Sequence, residues 1–192
     1  SWLLDERIRE VVIVDWSSTL ELELDTLDSR IKIIRVEGEK YFNLGKAYNK
    51  GFSAAKFSKI MKMDVDYFIN PYFDLLGEVP SPESTFYTGN WRLHQHDGDM
   101  GFLRYTNGWL YVDKSDFFAV GGYREDLQGY GFDDSDLYQR LSKKGLAHKT
   151  LNLHVKPLLF HVPHGHAVRT ENYEKKNIGE SEISNRQLCM NQ

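Results

Sequence analysis

The sequence predicts a single α/β domain with a mixed, mostly parallel sheet, and three observations predict it. "VVIVDWSS" (11–18) is a β-branched run that delivers an aspartate and serines to its end. "IKIIRVEG" (31–38) is a second such run, closed by a turn glycine. From Leu44, apolar or small residues recur at Ala47, Tyr48, Gly51, Phe52 and Ala55, a helical spacing, before "KIMKMDVDYFI" (59–69) returns to strand. Strand, strand, helix, strand is the order of an α/β sheet. In open sheets of this kind ligands sit beyond the carboxyl ends of the strands. Asp15, Asp64 and Asp66 all fall at such ends.

The remaining elements follow in order. Asn43 has the chemistry of an N-cap for the helix that starts at Leu44. Pro71, Pro80 and Pro82 mark a loop-rich crossing. The aromatic, glycine-punctuated stretch from Ser84 to Val120 reads as short antiparallel strands. "DDSDLYQRLSKKG" (133–145) is an amphipathic helix, acidic at its start, with Leu137 and Leu141 one turn apart and Gly145 as its stop. "HKTLNLHVKPLLFHVPHGH" (148–166) is a strand followed by a histidine-bearing turn. The domain covers 1–170, and a polar tail, 171–192, has helical character near "NYEKKN".

Composition narrows the function. With 192 residues, 41% hydrophobic and 14% aromatic, the chain can bury a sizeable core. A net charge of −4 with scattered basic residues gives no footprint for nucleic acid. The one cysteine, Cys189, excludes an internal disulfide and suits a reducing, cytoplasmic compartment. No apolar run approaches the ~20 residues of a membrane span, and "SWLLDERIRE" is not a signal peptide. Phosphate-loop, dinucleotide-binding, EF-hand and nucleophile-elbow motifs are all missing.

Three clusters carry chemistry. Asp64-Val65-Asp66, on one strand, would put two carboxylates on the same face about 7 Å apart, where a hard divalent cation relieves their repulsion. The plainer reading is a strand end with two solvated aspartates. In "GYGFDDSD" (129–136), Asp133, Asp134 and Asp136 exceed what capping a helix needs, and crowding can raise one of them toward a usable general base. In "FHVPHGH" (160–166) three histidines offer an imidazole ligand. "HQHDGD" (94–99) is a rival cluster that reads as an exposed loop.

Together and in order, these pieces resemble the GT-A glycosyltransferases, above all the β-1,4-galactosyltransferases and related family-2 polysaccharide polymerases. "FNLGKAYNKGF" before "MDVDYFINP" is similar to the galactosyltransferase helix and its D-V-D strand. "GYGFDDSD" is similar to that family's G-W-G-G-E-D-D-D, "LLFH" to its distal metal-binding histidine, and "VVIVDWSS" to the family-2 strand under the nucleotide. The likeness covers about residues 8–166 and implies the GT-A fold lacking its first strand.

The resemblance implies an inverting, metal-dependent transfer of a hexose or N-acetylhexosamine from a nucleotide sugar, expected to be a UDP-sugar, to a saccharide hydroxyl. It implies Mn²⁺ or Mg²⁺ on Asp66 and His161, with His164 as the alternative ligand. It assigns Asp134 as general base, and Asp133, Tyr130 and Gly131 to the acceptor. Asp15, Phe42, Lys46, Asn49, Asp64 and Trp109 are assigned to the nucleotide sugar; Leu44 stands where the family has an arginine. The implied setting is polysaccharide or glycoconjugate synthesis, in the cytoplasm or at the inner membrane within a synthesis complex. The alternative is a glycosyltransferase-like binding domain of a larger synthase that performs no transfer.

Overall fold

The structure, a computed structural model, describes residues 1–24, 28–72, 74–89, 108–151, 158–162 and 170–190. A short 3₁₀ turn at Trp2–Leu4 precedes β1 (Val11–Trp16) and β2 (Ile31–Val36), which pair in parallel from Val11↔Ile31 to Trp16↔Val36. Helix α1 (Leu44–Ala54) starts where expected: Asn43 is its N-cap, and its side chain accepts from the Lys46 N–H. The helix buries Gly45, Ala47, Gly51 and Phe52 and packs on β1. A Cβ on Gly45 would lie 2.3 Å from the Arg124 carbonyl oxygen, so only glycine allows this approach of the Arg124 loop.

The run 59–69 is two strands, β3 (Lys59–Lys62) and β4 (Tyr67–Ile69). A turn separates them, closed by the Tyr67 N–H donating to the Asp64 carbonyl at 3.0 Å, and Val65 at its tip is 88% exposed. Asp64 and Asp66 therefore lie on a turn and not on one continuous strand, and Asp66 still acts on the Asp64 carboxyl as a like charge.

Beyond them come α2 (Leu75–Glu78), β5 (Thr85–Thr88), β6 (Leu110–Asp113), α3 (Lys114–Ala119), α4 (Asp133–Lys143), β7 (Ala147–Thr150), β8 (Leu159–His161) and α5 (Ile178–Met190). Helix α3 lies where strands were expected. Asp113 caps it by accepting from the Ser115 N–H, a local signal that the surrounding aromatic residues obscure.

The main sheet has the order β3-β6-β5-β7, with β6 antiparallel to β3 and β5, and β7 parallel to β5, so it is mixed as expected but not mostly parallel, because β6 runs against both of its neighbours. Strands β4 and β8 form a separate antiparallel pair. Strand alternation divides the core. Ile60, Phe86, Leu110 and Val112 face Phe52, Phe117, Leu137 and Leu141 of the helices. Tyr87 and Trp109 face the other way, onto Tyr67, Ile69 and Leu159 of the β4–β8 pair.

Among the described residues β1 does not pair with β3, and the sheet is split there. A cavity of about 260 Å³ lies in the gap, lined by consecutive residues of both strands, Val12, Ile13 and Val14 of β1 with Lys59, Ile60 and Met61 of β3.

Candidate functional site

The site is built where β3 ends and α4 begins. Strand β3 alternates so that Ile60 and Lys62 are buried, which points a lysine into the core with 1% exposure. Its Nζ lies 2.9 Å from Asp134 Oδ1 and 3.2 Å from Oδ2, and 3.9 Å from Asp64 Oδ1. Two tyrosines flank the ammonium, with ring centres at 4.9 Å (Tyr48) and 5.6 Å (Tyr123). Their hydroxyls go to the same two carboxylates. Tyr48 donates to Asp64 Oδ1 at 2.5 Å and Tyr123 to Asp134 Oδ1 at 2.8 Å.

Burial sets the protonation states. It raises the pKa of both phenols well above the ordinary value, so both stay O–H donors. Burial alone would discharge Lys62, but Asp134 and Asp64 outweigh it and hold the ammonium above its ordinary pKa. Burial pushes Asp64 up, opposed by Lys62 and the Tyr48 hydroxyl. Asp133, first residue of α4, is pushed up to about 7 by burial and by the neighbouring Asp134 charge. Asp136 serves the fold: it ion-pairs with Arg140, which donates onward to the Val120 and Gly122 carbonyls.

The loop before α4 is conformationally demanding. Gly129 and Gly131 have φ of +76° and +101°, and Phe132, the N-cap, sits at +70°, a region a phenylalanine adopts at a cost. Helix α5 holds this loop. Ser181 Oγ accepts from the Tyr130 N–H at 3.2 Å and donates to its carbonyl at 3.0 Å. Asn185 Nδ2 donates to the Gly131 carbonyl at 2.9 Å. The polar tail, expected to be helical near 172–177, is turn and coil there and forms its helix at Ile178–Met190, pressed against Tyr130 and Gly131.

The structure brings together Asp64, Asp133 and Asp134. It sets Asp15 in a different arrangement, at the end of β1 with 5% exposure, bonded to the Ser18 N–H and the Arg35 guanidinium, which hold its carboxyl below the ordinary range. Lys46 pairs with Glu39 at 3.7 Å. Phe42 packs edge-on against Tyr173. Asn49 is committed to the backbone of Tyr123 and to Glu125. Trp109, expected on the nucleotide sugar, is instead 0% exposed in the core, because the β6 alternation turns it onto Tyr67 and Leu159; its indole N–H has no acceptor among the described residues.

Asp66 and His161 adjoin along the backbone: Tyr67 is in register with His161, and the Val162 N–H donates to the Asp66 carbonyl at 2.9 Å. His164 and the clusters at 94–99 and 163–166 lie outside the described residues. Among the described residues no three His, Cys, Asp or Glu side chains converge as a metal site, and no helix is long and apolar enough to cross a membrane.

Sequence reasoning missed Lys62, Tyr48, Tyr123, Ser181 and Asn185. Lys62 had left a trace, since it shares the parity of Ile60 on an apolar strand and so had to point inward.

Residues 93–165 match the family model described as the N-terminal domain of galactosyltransferase. The chain is 25% identical over 133 residues to β-1,4-galactosyltransferase 1 of Bos taurus, covering 66% of this chain and 31% of that protein. It is 30% identical over 127 residues to β-1,4-galactosyltransferase 4 of Cricetulus griseus, covering 62% and 35%. The chain therefore spans about a third of the length of the curated relatives it matches. Its fold is that of the catalytic domain of Drosophila β-1,4-galactosyltransferase 7, solved in complex with xylobiose, at a TM-score of 0.57 and 19% identity over 83% of this chain and 65% of that one. A mutant of that enzyme, solved with manganese, UDP-Gal and xylobiose, superimposes at 0.55 with 19% identity, over 79% and 63%. The chain thus has the fold of these galactosyltransferase catalytic domains and is similar in sequence to the β-1,4-galactosyltransferases over about two thirds of its length.

Proposed function

We propose that the chain transfers a hexose or N-acetylhexosamine from a nucleotide diphosphate sugar, a UDP-sugar in the first instance, to a saccharide hydroxyl with inversion. The observation that carries this is the meeting of Asp64, on the turn after β3, with Asp134 at the start of α4 around one buried cation, with Asp133 next to Asp134 on the same helix turn. A donor on the Asp64 side and an acceptor on the α4 side would then face each other across this network. Asp134 takes the proton of the acceptor hydroxyl as its oxygen bonds the anomeric carbon, and the nucleoside diphosphate leaves from the opposite face. Asp133, with its carboxyl raised to about 7, is suited to hydrogen-bond the acceptor sugar in either protonation state. Tyr130, held by Ser181, offers a ring face to it.

Asp66 and His161, adjacent along paired strands, would hold Mn²⁺. When bound, the metal supplies positive charge to the departing diphosphate. Among the assigned donor contacts, Lys46 and Asp15 carry ion pairs that a nucleotide has to open or share. The setting that fits is synthesis of a polysaccharide or glycoconjugate by a cytoplasmic protein, peripheral to the inner membrane.

A second reading, a binding domain without transfer, is favoured by one observation: Leu44 opens α1 where the resemblance places an arginine, and Lys46 is already paired. One panel separates the two. UDP-sugars with Mn²⁺ raise the thermal stability under both readings, by about 2.7 kcal/mol at a hundred times the dissociation constant. Release of UDP with formation of an inverted glycoside occurs only under the first. No stabilisation by any nucleotide sugar sinks both.

A further inference from the structure

We propose that Lys62 positions Asp134 for the acceptor and leaves Asp134 Oδ2 as the oxygen that receives the proton. This rests on the transfer reading above. The hydrogen bonds around Asp134 are unequal. Among the described residues Oδ1 takes both the Lys62 ammonium at 2.9 Å and the Tyr123 hydroxyl at 2.8 Å, whereas Oδ2 takes only the longer ammonium contact at 3.2 Å. A carboxylate oxygen has two lone pairs, so Oδ1 is filled and Oδ2 retains capacity. The Asp134 side chain is 21% exposed, so the carboxylate is open to an incoming ligand.

Lys62 shares its face of β3 with Ile60, beside Phe52, Phe117 and Tyr123. Its charge offsets the repulsion of the two carboxylates it lies between, and a buried cluster of this kind taken as a whole is often no better for stability than apolar residues of similar volume. What the ammonium adds is geometry. The Tyr48 and Tyr123 rings flank it, so it cannot follow a carboxylate that swings. It also reaches Asp64 at 3.9 Å, so one fixed cation serves a residue assigned to the donor and the residue assigned as base. Donor and acceptor halves are registered against each other through Lys62.

The test uses the whole chain with a UDP-sugar that the wild type turns over, Mn²⁺, and Lys62→Met. Near-ultraviolet circular dichroism checks the fold. The expected result is a kcat at least a hundredfold below wild type, with the donor KM unchanged within threefold. A kcat within threefold of wild type overturns the proposal, as does a loss that appears in the donor KM by more than threefold. Should Lys62→Met fail to fold, Lys62→Gln keeps a donor to Asp134 without the charge. A tenfold or larger drop in its kcat at constant donor KM then supports the proposal, and a smaller one overturns it. A wild type that transfers no sugar overturns the transfer reading, and this proposal with it; a wild type that transfers while the variants match it overturns this proposal alone.

Discussion

Asn49 grips the backbone of Tyr123 from both sides, its Nδ2 donating to the Tyr123 carbonyl at 2.9 Å and its Oδ1 accepting from the Tyr123 N–H at 2.8 Å. This links α1 to the loop whose tyrosine hydroxyl holds Asp134. The grip is close: a Cβ on Gly122 would lie 2.5 Å from Asn49 Oδ1, and Gly122 adopts a φ of +67°. Asn49→Ala leaves the Tyr123 N–H and carbonyl without these partners. Loss of stability by about 1–3 kcal/mol is expected, seen as a lower urea midpoint with an unchanged slope. An unchanged midpoint would show that water replaces the amide at no cost.

Asp133 makes stability depend on pH with a definite sign. Its carboxyl is raised from 3.8 to about 7 in the folded chain, so the folded state binds this proton more tightly than the unfolded one. The contribution is complete below about 4 and is lost as pH rises through about 7. Asp133→Asn removes the dependence. In urea unfolding at pH 4.5, 6 and 8, the variant should gain on the wild type as pH rises, by roughly 1–3 kcal/mol at the top of the range. A gap that stays constant across the three pH values rules out the shift.

Local chemistry made some of this fold legible from sequence and long-range packing hid the rest. Asn43 signals the start of α1 by its own side chain, and the acidic first turn and Gly145 bracket α4. The split of 59–69 into β3 and β4 was not visible, because its apolar alternation runs on through a turn made by backbone bonding alone. Asp134 was legible through the aspartates around it. Its partners were not: Tyr48 and Tyr123 read as ordinary core aromatics, and Tyr123 is buried and Tyr48 half-buried against the same core, with hydroxyls that matter only once α1, β3 and the loop before α4 come together. Trp109, assigned to the nucleotide sugar by the resemblance alone, is turned into the core by strand parity, which the resemblance did not weigh.

Gly108 sets the space for Asp64. A Cβ there would lie 2.7 Å from Asp64 Oδ2 and 3.4 Å from the Lys62 ammonium. Gly108→Ala therefore forces the Asp64 carboxylate or the Gly108 backbone to shift. The expected outcome is weaker binding of UDP-sugar by tenfold or more in calorimetric titration, with unfolding destabilised by about 1–3 kcal/mol. Wild-type affinity in this variant would mean that Asp64 moves freely and that its place beside Lys62 carries no donor contact.

The hold of α5 on the loop before α4 separates acceptor from donor. Asn185 is 1% exposed; its Nδ2 donates to the Gly131 carbonyl and its Oδ1 accepts from the Gln128 N–H at 3.3 Å. These bonds span the segment that presents Tyr130, and Glu182 crowds Gly131 so closely that a Cβ there would meet its Cγ at 2.6 Å. Asn185→Ala removes the clamp while leaving Asp64, Asp66 and β1 untouched. It should raise the acceptor KM about tenfold at a near-constant donor KM, and destabilise the chain by about 1–3 kcal/mol through the unpaired backbone groups. Equal changes in both Michaelis constants would place α5 under the whole domain and not under the acceptor loop. The positive φ angles of Gly129, Gly131 and Phe132 argue for the selective outcome, because a strained segment relaxes first where its support is withdrawn.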